Sequence, residues 1–299
     1  MRAPMAVARS VRIVGARAWE STEVTAVGAG AYRATIGPEW VLAMVPQGGL
    51  LAAIAARAMA AELQTDLPLR AIHGVFTSPV PDGEVQISAR VLRAGRRVSQ
   101  ASADVTGIGA SSGFSAVAVF GGDREGPSFT ELVAPDAPPP DECPSFRDPP
   151  PPESGWEPRP RWPFWGEVLD GRAAVGHPPW DDSPRGAAEV VNWFGFDDPP
   201  VQVDGMLDPL ALLVMADVMP GSVFEKLGTR EQGWFAPSID LSVHLFGHAT
   251  PGWILAHSKA HLAGDGYASA EMALWDPRAD GGPKLVAWAA QQMFFTRID

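Results

Sequence analysis

Asp217 is the residue whose type and setting most directly suggest chemistry. It stands in an apolar run with Leu212, Leu213, Val214, Met215, Val218 and Met219. A carboxylate on an otherwise apolar helix is costly unless it is paired or used. Used, it would accept the proton of a water attacking a carbonyl, which is the role of a general base in hydrolysis. Unused, it would lie on the one wet side of the helix. A second feature is Gln47-Gly48-Gly49, which opens an Ala- and Leu-rich run. Bare N–H groups at a helix start stabilise developing negative charge, so Gln47, Gly48 and Gly49 are candidate oxyanion and substrate-binding groups. Glycines there also permit close packing. A third is Gln291, an amide in a strand-like run otherwise mostly Ala, Trp, Met and Phe. Its neighbour Gln292 leaves the phase open, because a slip of one residue turns the other Gln to the working face.

Other candidates carry less. Gly109-Ala110-Ser111-Ser112-Gly113 fits G-x-S-x-G, but a nucleophile elbow leads into a helix and Phe114 to Phe120 reads as a strand. Gly107, Gly109 and Gly113 have the wrong spacing for a dinucleotide fingerprint. His244 with His248, and His257 with His261, share strand faces at i, i+4, yet no third metal ligand is suggested, so no metal is expected. Arg96-Arg97 sits in a hairpin turn, where paired arginines are usually solvated and could meet the phosphates of coenzyme A. The 299-residue chain has 23 Lys plus Arg against 35 Asp plus Glu, a formal charge of -12 that repels phosphate backbones and disfavours nucleic acid as a partner. Its single cysteine, Cys143, excludes a disulfide framework and fits a cytoplasmic setting. Nothing approaches the ~18 uninterrupted apolar residues of a membrane span.

The elements that must position these groups fall into two similar regions. In the first, Gly48 to Leu63 reads as a mostly buried helix, followed by strand-like runs at Leu69 to Pro79, Glu84 to Leu92, Val98 to Gly107 and Phe114 to Gly121. In the second, Asp208 to Met219 reads as a helix with Asp208 as N-cap and Pro209 in its first turn. The runs that follow are Ser238 to Phe246, Trp253 to Leu262, Tyr267 to Trp275 and Leu285 to Phe295. A strand precedes each helix, near Gly30 to Ile36 and near Glu189 to Phe196. Gly83 and Gly252, Ala94 and Ala263, Gly95 and Gly264, and Ala101 and Ala270 all stand 169 positions apart. Together with the shared order of elements, this reads as a duplicated α+β unit. Between the regions lie 18 of the 30 prolines, from Pro127 to Pro200, through which no regular core element should run. Trp156, Trp162, Phe164, Trp165 and Trp180 lie there too, so part of the stretch reads as an ordered strap. The expected organisation is a first unit at 1–126, a Pro- and Trp-rich connecting segment at 127–186 and a second unit at 187–299.

A sheet wrapped around one apolar helix, present twice, is a double hotdog. The sequence resembles the acyl-CoA thioesterases of the thioesterase II type across most of its length. The resemblance rests on Gln47-Gly48-Gly49, on Phe76 to Pro79 (FTSP), on Ala216-Asp217, on Ser238-Ile239-Asp240, and on Leu285-Val286-Ala287 through Gln291. It implies hydrolysis of an acyl-CoA or acyl-carrier thioester with neither cofactor nor covalent intermediate. It also implies that Asp217, Ser238 and Gln291 activate and position the water. The family usually has Thr where this chain has Ser238. By simple alternation Ser238 would share a face with Asp240, Ser242 and His244, opposite Ile239, Leu241, Val243 and Leu245. Met206, Leu210, Leu213 and Met215 are candidate walls of an acyl channel. Two alternatives keep the fold. An enoyl-thioester hydratase needs a His shortly after its Asp, and none follows Asp217; a non-catalytic acyl-thioester binder has no need of Asp, hydroxyl and Gln together. One composite site per chain is expected, because Leu50 to Ala61 offers no second carboxylate. The internal pair removes the obligation to form a homo-oligomer without forbidding one.

Overall fold

A computed structural model describes residues 17–152, 162–178, 181, 186–228 and 234–297. Trp156 and Trp180 lie outside the described residues. The first half contains β1 (Thr25–Gly28), β2 (Ala31–Ile36), β3 (Val41–Leu42), β4 (Val45–Pro46), α1 (Gly48–Leu63), β5 (Leu69–Phe76), β6 (Gly83–Arg93), β7 (Val98–Gly107) and β8 (Gly113–Gly121). The second half contains β9 (Leu169–Val175), β10 (Glu189–Phe196), α2 (Ala211–Ala216), α3 (Pro220–Leu227), β11 (Trp234–Phe235), β12 (Asp240–Leu245), β13 (Ile254–Gly264), β14 (Tyr267–Asp276), β15 (Lys284–Phe294) and β16 (Thr296–Arg297).

Alternating apolar residues give the long strands one buried face each, and that face needs a cover. In the first half the cover is α1, whose Leu50 to Ala56, Ala58 and Met59 are all buried. The two halves close into one antiparallel sheet in the order β1-β2-β6-β7-β8-β5-β12-β15-β14-β13-β10-β9. The seam is β5 on β12, where His73 pairs with Ser242, itself 169 positions further on. This is the double hotdog, an α+β fold.

The 169-residue spacing recurs in details that composition alone would not preserve. Strands β7 and β14 have both ends 169 positions apart. The β6–β7 ladder shifts register between Val91 and Arg93, and the β13–β14 ladder shifts between Ala260 and Leu262, again 169 apart. Bulges are specific local features, so a shared bulge is stronger support for a repeat than four matching small residues.

The second half departs from the simple pattern at its helix. The expected helix from Asp208 to Met219 is broken: α2 ends at Ala216, Asp217 adopts φ -90° and ψ 45°, and α3 begins at Pro220. Pro220 lacks an N–H and its ring would crowd the carbonyl four residues back, so the helix cannot continue through it. The N-cap of α2 is Leu210 rather than Asp208, whose carboxylate accepts from Leu210 N at 3.0 Å in the turn ahead of the helix. The same carboxylate is buried and accepts from Arg57 Nη2 of α1 at 2.6 Å and from Trp19 Nε1 at 3.0 Å. The ion pair therefore ties the short helix to the long one. Breaking such a pair from one side costs ~3–5 kcal/mol, because a charge is left buried without its partner.

The proline-rich stretch is also more structured than expected. Strand β9 lies in its proline-free window and pairs with β10, extending the second half's sheet. Ahead of it the chain lies as a strap over the outer face of that sheet. Ala134, Ala137 and Cys143 pack there with Trp193, Trp253, Trp275 and Trp288, and Trp193 Nε1 donates to Pro138 O at 2.8 Å.

Candidate active site

Asp217 sits at the C-terminal end of α2, where the break turns its carboxylate toward the start of α1. It is 6 % exposed. Gly49 N donates to Oδ2 at 2.9 Å, Ser238 Oγ donates to Oδ1 at 3.3 Å, and Gln291 Nε2 donates to Oδ1. Burial penalises the charged form and pushes the pKa of Asp217 up to about 6. The bonds from Gln291, Gly49 and Ser238, with a weaker contribution from the Gly48 amide, act in the opposite direction. A carboxylate so balanced is ionised near neutral pH yet remains a better base than an exposed one.

The glycines hold this arrangement by what they lack. A Cβ on Gly49 would collide with the Leu213 carbonyl oxygen and come within 2.7 Å of Val214 Cα. A Cβ on Gly48 would come within 2.6 Å of the Phe76 ring and 2.7 Å of Asp217 Oδ2. Close packing is thus served at these positions, and with it the approach of the Gly49 N–H to the carboxylate. The expected oxyanion role needs restating for two of the three residues, however. The Gly49 N–H is spent on the Asp217 carboxylate. The Gln47 side chain is buried and fully engaged: Oε1 accepts from Leu50 N at 3.0 Å as the helix cap, while Nε2 donates to Val214 O at 2.9 Å and Asp217 O at 3.1 Å. Gln47 is a clamp between the two helices, fixing the backbone that carries the carboxylate.

Ser238 reaches the carboxylate by a bulge. The β12–β15 ladder pairs Ser242 with Ala290, but the isolated bridge upstream pairs Ser238 with Met293, one residue out of step. Simple alternation would have grouped Ser238 with Asp240, Ser242 and His244 on the outer face. The offset reverses its direction, as bulges beside active sites commonly do. Gln291 is 3 % exposed whereas Gln292 is exposed, so Gln291 faces the site. Its Oε1 is buried and has no hydrogen-bond partner among the described residues. A buried acceptor without a donor costs ~1–3 kcal/mol, which is tolerable where a substrate or reacting water can supply one.

The remaining sequence candidates lie elsewhere. Gly109 is a turn residue at φ 76° and β8 follows, so no elbow exists at Ser111. His257 bonds Glu189 at 2.6 Å, His261 pairs with Glu271 at 3.3 Å, and His244 lies against His73 and Trp288 on the outer face. Among the described residues no group of three or more His, Cys, Asp and Glu side chains could hold a metal, and no helix is long and apolar enough to cross a membrane. Leu213 and Met215 are wholly buried core residues. Sequence reasoning missed Phe76 as a site residue; its place in the FTSP run was visible, but its contact with the helix start was not.

Comparison with known proteins shows the family and the fold. The family model for the acyl-CoA thioesterase N-terminal domain matches residues 36–121, and that for the acyl-CoA thioesterase C-terminal domain matches residues 140–295. The chain belongs to the acyl-CoA thioesterase family and is a thioester hydrolase. Similar folds occur in a conserved hot dog fold protein of unknown function from Alicyclobacillus acidocaldarius, at 22% identity, TM-score 0.76 and coverage of 94% of this chain and 98% of that one. An acyl-CoA thioesterase II, TesB2, from Mycobacterium marinum shares 19% identity at TM-score 0.71 with the same coverages. The tesB protein of Mycobacterium avium subs paratuberculosis shares 18% at 0.72, covering 92% of this chain and 96% of its own. No curated protein matches the chain by sequence.

Proposed function

We propose that the chain hydrolyses acyl-CoA thioesters, or the equivalent acyl-carrier thioesters, in a cytoplasmic setting, with Asp217 as general base. The observation that carries this reading is the buried carboxylate held by Gly49 N, Ser238 Oγ and Gln291 Nε2 beside the unpartnered Gln291 Oε1. A water between Asp217 and Gln291 gives one proton to the carboxylate and directs the other at Gln291 Oε1. Its oxygen lone pair then faces the thioester carbon. Ser238 steadies the carboxylate that holds the water. As the tetrahedral oxyanion forms at the start of α1, the Gly48 amide, the weakest of the four donors that hold Asp217, is the group that turns to it. Collapse expels the thiolate, which takes up the proton held on Asp217, and the products are a carboxylic acid and free thiol. Neither cofactor nor covalent intermediate is needed.

On the same reading the chain divides into a first hotdog unit at 1–126 and a second at 187–299, with a connecting segment between them that lends β9 to the second half of the sheet. The test is thiol release by purified protein from a panel of acyl-CoAs of different lengths, with Asp217→Asn in parallel. Turnover by the native chain that falls ~10²-fold or more in the variant supports the reading. Turnover unaffected by the substitution removes Asp217 from the mechanism.

A further inference from the structure

We propose that Phe76 sets acyl specificity by walling the space next to the thioester carbon, favouring straight over α-branched acyl groups. The proposal rests on the assignment of Asp217 as base. A single point in space defines the relation: the position of a Cβ on Gly48 is 2.6 Å from Phe76 Cε1 and Cζ and 2.7 Å from Asp217 Oδ2. Ring edge and carboxylate therefore face the same spot, separated by no more than those two distances laid end to end. A reacting carbonyl carbon must come within ~3–3.5 Å of the water that Asp217 activates. The proposal seats the first carbons of the acyl group on the side of the carboxylate that the ring edge faces.

The ring is held in place rather than free to yield. Phe76 N donates to Ile239 O at 2.8 Å across the seam between the halves. Its ring packs on Phe114 with centroids 4.8 Å apart and planes at 39°. Phe114 is 1 % exposed, and it occupies room that exists because Gly74 has no side chain, since a Cβ there would collide with it. Gly74, Phe114, Phe76 and Gly48 thus form a continuous packed column ending at the carboxylate. An aromatic edge offers no hydrogen bond to the amides of a pantetheine arm, so the acyl side of the substrate is the part that belongs against it. A straight chain can lie along such a wall, whereas a methyl branch on the α-carbon projects into it.

The test compares kcat/KM for butyryl-CoA and isobutyryl-CoA, which have the same number of carbons, in the native chain, Phe76→Ala and Phe76→Leu. The native chain is expected to favour butyryl-CoA by ~10–200-fold, the range a pocket achieves on one misplaced methyl group. Phe76→Ala should narrow that ratio at least tenfold, mainly by raising kcat/KM for isobutyryl-CoA, with Phe76→Leu intermediate. It should also admit water to Asp217 and move the acid limb of the pH profile below about 6. Phe76→Leu keeps an apolar side chain on Phe114 and so preserves the test if the Ala variant unfolds. Equal losses on both substrates, or a native ratio near one, would overturn the proposal while leaving Asp217 as base. If neither C4 substrate turns over, the same comparison is made with the straight and α-methyl acyl-CoAs of the length the panel shows to be hydrolysed, and failure on every length would overturn the parent reading and this inference with it.

Discussion

The two halves share a ladder, its bulges and a spacing of 169 residues, yet they put different side chains at matching places. Ser238 in the second half corresponds to Leu69 in the first, and both stand at a one-residue register slip in their ladders. Gln291 pairs with Ala270 as Ala118 pairs with Ala101, where Ala101 and Ala270 are 169 positions apart, so Ala118 is its counterpart. At the helix start the first half has Gly48 and Gly49, and the second has Asp217 at the break before α3. One half therefore presents carboxylate, hydroxyl and amide, while the other presents backbone N–H and apolar bulk. On the proposed assignment, the difference teaches that a repeated unit carries one composite site rather than two. The geometry common to both halves is the scaffold, and the chemistry lies where they differ.

Substitutions on either side of this comparison should separate rate from stability. Asp217→Asn is expected to lower kcat/KM by ~10²–10⁴-fold in a thiol-release assay, the scale of general-base loss. Gln291→Leu, close in size but without donor or acceptor, should cost ~10²-fold. It should also move the acid limb above about 6, because removing a donor to the ionised form raises its pKa. A matched pair comes next. Ser238→Ala should cost about tenfold in rate and change stability by less than ~1 kcal/mol, as for one hydrogen bond. Leu69→Ala, at the corresponding place, should leave kcat nearly unchanged and destabilise by ~2–5 kcal/mol in denaturant unfolding, as for a core cavity. If Leu69→Ala instead abolished turnover with the fold intact, the division between the halves would be wrong. A further effect is on linkage. The Asp217 pKa is raised on folding from 3.8 to about 6, so its contribution to stability is fully present below pH 3.8 and is lost as pH rises through about 6. Between pH 4 and 7 the native chain should lose on the order of 2–3 kcal/mol relative to Asp217→Asn.

Much of the fold could be read from the sequence because its strongest signals were local. The helix from Gly48 to Leu63 announces itself by Ala, Leu and Met without a break, and the strands after it by alternation between glycine turns. What could not be read depended on partners distant in sequence. Alternation cannot choose between Gln291 and Gln292, whereas burial of Gln291 beside Asp217 can. Ser238 reads as outward-facing until the slip against Met293 is known, since a bulge leaves no mark in a period-two pattern. The cap role of Gln47 was visible as a position, but its grip on the Val214 and Asp217 carbonyls spans 167 and 170 residues of chain. The apolar run from Asp208 to Met219 carries no mark of the break at Asp217 or of a second helix starting at Pro220. Strand β9 was hidden by the prolines on both sides, which describe the strap more than the window between them.

The central claim is that Asp217 is the base, and the most direct test is the pH dependence of kcat/KM from pH 4.5 to 8, measured by thiol release. The account expects a limb that rises tenfold per pH unit, bends at about 6 and is flat above it, and that disappears in Asp217→Asn along with most of the turnover. A limb bending near 4, or a profile that keeps its shape in Asp217→Asn, would contradict it.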